Sequence, residues 1–188
     1  MRRPWVILLA VALAAVLVVG IVQTSGSGDE GDAPTSAEVA KQLAGSPAPL
    51  AALHEQANQL LPVDGYEARL KALRGYPVVV NIWGSWCDPC RKEFPIFQEV
   101  SAKYGKRVAF VGLGYKDSVE GAKPFLESHP VSYPTYTDFE GKIVEGKYGL
   151  LSAPTTVFFD ANGERRIHQG RYETVADLER DIDRYALG

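Results

Sequence analysis

The strongest constraint on the fold is a junction near residue 84, where an apolar segment runs directly into a helix-forming one. Residues 78–83 read Val-Val-Val-Asn-Ile-Trp, a short apolar run typical of a buried strand. The helix-forming stretch begins at Arg91. Residues 86–90, Trp-Cys-Asp-Pro-Cys, separate the two. The sequence therefore predicts that this motif lies between a strand and a helix.

The motif holds Cys87 and Cys90, the only cysteines among the 188 residues. One helical turn would bring their sulfurs within bonding distance. A structural disulfide over so small a loop would remove little entropy from the unfolded chain. A zinc site needs about four ligands, and the chain has neither a second cysteine pair nor histidines at ligand spacing. We therefore predict a working dithiol/disulfide pair, with no metal and no separate cofactor.

Hydrophobic periodicity and turn residues predict strands and helices along most of the chain. The predicted elements, in order, are two short helices within 36–61, a helix over 66–73 started by a capping box of Asp64 and Glu67, a strand over 77–83, a helix after the cysteines with Phe94, Phe97, Val100 and Tyr104 on its apolar face, a strand over 108–114, a helix over 118–129, a strand over 135–137, a hairpin of strands 155–160 and 164–169, and a last helix capped by Thr174.

The first 35 residues predict a membrane anchor and a tether. Residues 5–22 carry no charge and would form a helix of roughly 27 Å, close to the roughly 30 Å of a bilayer's hydrocarbon core. We therefore assign 1–22 as an N-terminal transmembrane helix. A cleaved signal peptide is the alternative, because small residues follow at 24–27. Residues 23–35 are rich in Gly, Ser and acidic residues and predict a flexible linker, which leaves 36–188 as one domain with an N-terminal helical extension.

Charge indicates the orientation and excludes one class of partner. Arg2 and Arg3 precede the apolar run and acidic residues follow it, which predicts a cytoplasmic N-terminus and a single-pass protein of the cell membrane with an extracytoplasmic domain. The net charge is −3 and no basic stripe is present, so we predict no nucleic-acid partner.

These features together resemble the thioredoxin superfamily, and within it the membrane-tethered extracytoplasmic thiol-disulfide oxidoreductases of the TlpA/ResA type. The resemblance runs from about residue 45 to 187 and is carried by residues 81–90, 93–95, 148–155 and 159–163. It implies a thioredoxin-like three-layer α/β/α sandwich with a central mixed sheet, preceded by the transmembrane helix and linker.

The catalytic residues expected are Cys87, Cys90 and Glu93. Cys87 should lie at the N-terminal end of a helix, where the dipole stabilises a thiolate, so we predict that it attacks and that Cys90 resolves the mixed disulfide. Glu93 matches a glutamate of the ResA-type subgroup and would transfer protons if buried. The alternative for Glu93 is a solvated helix carboxylate. Asn81 stands where many thioredoxins carry a buried aspartate that helps move a proton.

The expected substrate-binding residues surround the cysteines. They are Trp86, Asp88 and Pro89 of the motif, and Ala153 and Pro154 of a later loop. Pro154 matches the family's cis-proline. The backbone of Ala153 would pair with an extended substrate segment in the manner of a β-strand.

The resemblance implies a reductase of protein disulfides. Its implied partners are a disulfide-containing protein, with apocytochrome c and thus cytochrome c maturation as the family example, and a membrane electron-transfer protein that re-reduces the pair. Two alternatives stay open. One is a DsbA-like disulfide oxidant, and the other is a non-catalytic module that binds peptides or a metal.

Overall fold

The computed structural model describes residues 34–188, and the predicted anchor at 1–22 and most of the predicted linker lie outside the described residues. Within the described part of the chain, no helix has the length and apolar character needed to cross a bilayer.

The described chain contains six helices, one short 3₁₀ turn and six strands. In chain order they are α1 (Ser36–Leu43), α2 (Ala48–His54), β1 (Leu60–Pro62), the 3₁₀ turn Val63–Gly65, α3 (Tyr66–Ala72), β2 (Val78–Trp83), α4 (Asp88–Tyr104), β3 (Ala109–Tyr115), α5 (Val119–Ser128), β4 (Thr135–Asp138), β5 (Thr155–Phe159), β6 (Arg165–Gln169) and α6 (Val175–Tyr185).

All six strands belong to one mixed sheet with the order β1-β4-β3-β2-β5-β6. The strands β1, β4, β3 and β2 pair in parallel with one another in that order. Strand β5 pairs antiparallel with both β2 and β6. The prediction of a central mixed sheet and that of the β5–β6 hairpin are therefore confirmed.

Strand β2 lies in the middle of the sheet, and all six of its residues are buried. Its continuous apolar sequence is explained by helices on both faces. One face packs against α4, α5 and α6 through a cluster that includes Val79, Trp83 and Phe158. The other face packs against α2 and α3 through a cluster that includes Val80 and Ile82. The result is a three-layer sandwich.

Helix α4 runs from the end of β2 back across the sheet. Its buried side chains include all four that the sequence periodicity indicates, Phe94, Phe97, Val100 and Tyr104. Helix α6 lies beside it and is capped by Thr174, whose side chain accepts a hydrogen bond from the backbone N–H of Asp177. Both helices contribute side chains to the buried cluster that contains the two cysteines.

The two short helices predicted within 36–61 are confirmed as α1 and α2, but the strand after them and the cap of α3 differ from the prediction. Strand β1 begins at Leu60, at the end of the stretch predicted as helical, and pairs with β4 at the edge of the sheet. Helix α3 has no side-chain cap, because the 3₁₀ turn precedes it and Gly65 occupies the N-cap position. The residues predicted as a capping box instead form ion pairs, Asp64 with Lys142 and Glu67 with Lys147.

Candidate active site

Cys87 and Cys90 form a disulfide at the start of α4, with their Cα atoms 5.3 Å apart. Cys87 is the N-cap residue of the helix, and its sulfur accepts a hydrogen bond from the backbone N–H of Cys90 at 3.2 Å. Cys87 is 3% exposed and Cys90 is fully buried. Cys87 is therefore the more exposed cysteine, and it sits where the helix dipole favours a thiolate.

The loop that delivers the cysteines is held against the end of β3. Asp117 accepts hydrogen bonds from the backbone N–H of Ser85 at 2.6 Å and from its hydroxyl at 2.7 Å. The indole N–H of Trp86 donates to the backbone oxygen of Lys116 at 2.9 Å. The side chains of Asp117 and Trp86 thus join the loop after β2, which leads into α4, to the residues that follow β3. Ser85 and Asp117 were not among the predicted site residues.

Trp86 is an exposed aromatic side chain beside the disulfide, with 55% of its surface accessible. Asp88 and Pro89 are also exposed, on the first turn of α4. Pro89 fits there because the first turn of a helix leaves its N–H groups without intrahelical partners. These three predicted substrate-binding residues therefore present a free surface next to Cys87.

The loop before β5 brings a second surface to the cysteines. The peptide bond between Ala153 and Pro154 is cis, and Ala153 packs against the cluster that contains both cysteines. Within residues 34–188, neither the N–H nor the C=O of Ala153 has a backbone hydrogen-bond partner. An extended peptide could pair with these two groups. Leu151 in the same loop is 78% exposed, and sequence reasoning did not single it out.

Glu93 lies one turn beyond Cys90 on the same side of α4 and is completely buried. Burial raises the pKa of this carboxyl to about 8, although a hydrogen bond from the Tyr172 backbone N–H and the charge of Arg171 both oppose the rise. Its Oε2 accepts that bond at 3.2 Å, while Oε1 has no partner among the described residues. The alternative of a solvated helix carboxylate for Glu93 is therefore excluded.

A buried polar group also stands on β2, six residues before Cys87. The amide nitrogen of Asn81 donates to the hydroxyl of Tyr133 at 3.3 Å, and both residues are buried. The other amide atom, Asn81 Oδ1, and the hydroxyl of Thr156 have no partner among the described residues. Sequence reasoning singled out Asn81 but missed Thr156, which only the strand register places opposite it, and Tyr133, which lies in the loop before β4.

The described residues contain no group of three or more His, Cys, Asp and Glu side chains that could hold a metal ion. The groups gathered at the end of α4 are instead a cysteine pair, a buried carboxyl and a loop with free backbone groups. This set can exchange a disulfide and move the associated proton.

A mixed sheet, a Cys-x-x-Cys pair at the N-terminus of a helix and a cis-proline loop beside it define a thioredoxin-like protein. The chain belongs to the AhpC/TSA family, whose profile matches residues 44–166.

Comparison with individual proteins shows which thioredoxin-like proteins the chain is similar to. The chain is 31% identical over 126 residues to "Thiol-disulfide oxidoreductase ResA" of Geobacillus kaustophilus, a match that covers 66% of this chain and 71% of that protein. It is 31% identical over 103 residues to the ResA protein of Bacillus thuringiensis subsp. konkukian, covering 54% of this chain and 59% of that protein. The chain thus spans less than two thirds of the second relative.

Two solved structures agree with this result. The DsbF protein of MTB, solved in mixed oxidised and reduced forms, superposes with a TM-score of 0.57 at 29% identity, covering 61% of this chain and 84% of that one. A putative thiol:disulfide interchange protein DsbE of Chlorobium tepidum gives 0.53 at 30% identity, covering 60% and 82%. These relatives confirm the predicted class, a ResA-like thiol-disulfide oxidoreductase.

Proposed function

We propose that the chain is a membrane-anchored, extracytoplasmic reductase of protein disulfides. The observation that carries the proposal is the Cys87–Cys90 pair at the N-terminus of α4, next to the free backbone groups of Ala153. The more accessible sulfur can attack, the buried one can resolve, and the loop offers a strand-like docking edge for the substrate.

The reaction runs in two exchanges. The Cys87 thiolate attacks a substrate disulfide, one substrate sulfur leaves as a thiolate, and a mixed disulfide forms. Glu93 in its ionised form then accepts the proton of the Cys90 thiol, and Cys90 attacks the sulfur of Cys87 and releases the second substrate thiolate. The pKa of about 8 for Glu93 lies near the ordinary thiol value of about 8.5, so this proton transfer is nearly balanced.

The substrate, the electron source and the location rest on sequence features and resemblance. The uncharged run at 5–22, preceded by Arg2 and Arg3, supports anchorage with the domain outside the cytoplasm. Such a compartment oxidises thiols, so a membrane electron-transfer protein must re-reduce the pair. Resemblance to TlpA/ResA proteins supports the oxidised Cys-x-x-Cys-His of apocytochrome c as the substrate.

Trapping the substrate tests both the chemistry and the partner. In Cys90→Ser the resolving sulfur is absent, so the Cys87 mixed disulfide should accumulate on the full chain in its native membrane. Mass spectrometry of the trapped species then identifies the partner. Cys87→Ser is the matched control, and we expect it to trap nothing. Equal trapping by both variants contradicts the assigned roles.

Turnover and topology complete the test. The wild-type chain should reduce insulin with dithiothreitol as electron source, and Cys87→Ser should abolish this activity.

On intact cells a membrane-impermeant maleimide should label Cys87 after mild reduction. Labelling that requires permeabilised cells would contradict the extracytoplasmic location. A reduction potential near −120 mV, rather than about −270 mV or lower, would indicate an oxidant instead.

A further inference from the structure

The exposed indole of Trp86 is held by the backbone of two consecutive residues at the end of β3. Its N–H lies 3.3 Å from the carbonyl oxygen of Tyr115 and 2.9 Å from that of Lys116, so one donor is shared between two acceptors. The ring itself is 55% exposed beside the disulfide. The orientation of this ring therefore depends on where the two carbonyl groups lie.

The side chains of the same two residues converge on one carboxylate, that of Glu145. The Tyr115 hydroxyl donates to Glu145 Oε1 at 2.6 Å, and Lys116 Nζ lies 2.9 Å from the same oxygen. Burial and the hydrogen bond to Glu145 raise the pKa of Tyr115 to about 12, so its phenol keeps the proton that it donates. The bonds from Tyr115 and Lys116 lower the pKa of Glu145, so its carboxylate is ionised at neutral pH.

The backbone of Lys116 explains why this support is needed. Its φ angle is 50°, in the left-handed region that residues with a side chain rarely adopt. Such a conformation persists only where the surrounding contacts determine it. On one side, Asp117 accepts hydrogen bonds from Ser85 in the cysteine loop. On the other side, the Lys116 side chain is paired with Glu145.

Glu145 is presented by a turn that is fixed to the end of β4. The buried carboxylate of Asp138 accepts hydrogen bonds from the backbone N–H groups of Ile143 and Val144, at distances from 2.8 to 3.1 Å. The Glu145 N–H donates to the Gly141 carbonyl at 2.9 Å. The Glu145 side chain also lies over Gly141, where a Cβ would be 3.0 Å from Glu145 Cδ. Because its backbone and its stem are both held, the carboxylate has a defined position.

We propose that Glu145 is a positioning residue for substrate binding, and that it acts through Trp86. Loss of the carboxylate releases Tyr115 and Lys116, lets their carbonyl groups shift and frees the indole to leave its place beside the disulfide. The sulfur of Cys87 takes no part in these contacts, so its reactivity toward a small disulfide does not depend on them. This inference rests on the proposed function, since it concerns how a reductase of protein disulfides binds its substrate.

The test compares a protein disulfide with a small one. The reduced full chain is mixed with insulin or with hydroxyethyl disulfide, and the second-order rate constant of each reaction is measured. Glu145→Ala should slow the reaction with insulin about fivefold, the usual effect of one hydrogen bond, and leave that with hydroxyethyl disulfide at the wild-type rate. Damage to the cysteine pair would instead slow both reactions.

A double-mutant cycle tests whether the effect passes through Trp86. Trp86→Phe keeps an aromatic ring but removes the N–H donor, and should slow the insulin reaction about as much as Glu145→Ala does. In the double variant the two losses should not multiply, because both changes break the same series of contacts. Tyr115→Phe removes only the hydroxyl bonded to Glu145 and should give the same selective loss, which keeps the test decisive if Glu145→Ala does not fold.

Asp64→Ala is the matched control. It breaks the ion pair of Lys142, which lies in the same turn as Glu145, and should leave both rate constants as in wild type. The inference is overturned by a wild-type insulin rate in Glu145→Ala, by equal losses toward both disulfides, or by losses that multiply in the double variant. A wild-type chain that does not reduce insulin refutes the proposed function itself, and this inference with it.

Discussion

Glu93 links the proton chemistry of the site to the stability of the fold. Burial raises its pKa from 4.5 to about 8, so the native state holds a proton that the unfolded chain has lost in this interval. The free energy of unfolding therefore decreases as pH rises from about 4.5 to 8, and this loss is complete above pH 8. The predicted loss is about 5 kcal/mol, since the two pKa values differ by about 3.5 and each pKa unit corresponds to about 1.4 kcal/mol.

Urea unfolding of the oxidised chain between pH 4.5 and 9 measures this loss, because the cysteines do not titrate in the disulfide. Glu93→Gln retains the size of the side chain and an acceptor for the Tyr172 N–H, so its stability should vary less over the same range. Glu99→Gln changes an exposed carboxyl on the same helix and should follow the wild-type profile. A Glu93→Gln profile parallel to wild type would contradict the assignment.

Gly84 is required by the position of Trp86. A Cβ at residue 84 would lie 2.5 Å from the indole nitrogen of Trp86, closer than any side chain tolerates. Gly84→Ala should therefore displace the indole, break its bond to Lys116 and destabilise the fold by about 1–3 kcal/mol, the usual cost of overpacking.

Thermal unfolding and Trp fluorescence check this prediction. Gly65→Ala is the control, because a Cβ there meets only Tyr136, at an ordinary 3.5 Å. An unchanged fluorescence spectrum in Gly84→Ala would show that the ring does not occupy the position next to residue 84.

At the level of single residues, the local sequence pattern indicated which side chains are reactive but not which groups surround them in the fold. Cys87 and Cys90 are identified by spacing alone, because one helical turn relates them. The environment of Glu93 could not be read from neighbours such as Arg91 and Lys92, since burial depends on what α6 and the loop at Tyr172 place above it. Thr156 lies near the site only because of the pairing of β5 with β2, which a short window of sequence does not show.

At the level of elements, periodicity predicted the central strands and the long helices well, because their burial follows the repeat of the sequence. It failed at β1, which is only three residues long and is stabilised by pairing with β4 rather than by its own pattern. It also failed at Asp64, whose carboxylate pairs with Lys142, a residue far away in the sequence. Short edge strands and long-range ion pairs are decided by tertiary contacts.

The N-terminal helices are held to the active-site helix by His54 at the end of α2. Its Nδ1 lies 3.2 Å from the carbonyl oxygen of Ser132, and its Nε2 lies 3.1 Å from that of Gly105, the C-cap of α4. His54→Ala should leave the buried Ser132 carbonyl without its side-chain partner and cost about 1–3 kcal/mol.

Hydrogen exchange checks where this cost appears. Amides of α1 and α2 should exchange faster in His54→Ala, with smaller changes in the central strands, because local opening of the extension precedes global unfolding. Glu55→Ala alters the exposed neighbour and should leave the exchange pattern as in wild type. If the amides of α1 and α2 exchange in His54→Ala at the wild-type rates, His54 does not hold the N-terminal helices in place.

At the level of the whole molecule, the direction of electron flow is tied to the stability of the two redox forms. Unfolding, reduction and refolding form a thermodynamic cycle, so a native pair that is a stronger reductant than the same pair in the unfolded chain makes the oxidised fold the more stable one. DsbA has the opposite sign, because its reduced form is stabilised. For the proposed reductase, the oxidised chain should be more stable than the reduced chain by about 1–3 kcal/mol, with 30 mV equal to about 1.4 kcal/mol.

Denaturant unfolding of the chain with and without dithiothreitol at pH 7 measures this difference directly. A variant with both Cys87→Ala and Cys90→Ala should unfold at the same denaturant concentration in both conditions, which removes any effect of the reductant itself. The sign of the difference decides between the two directions, because the stability of each form fixes the native potential relative to that of the unfolded pair. A reduced form more stable than the oxidised one would make the chain a disulfide donor, with the same cysteines and the same fold used in reverse.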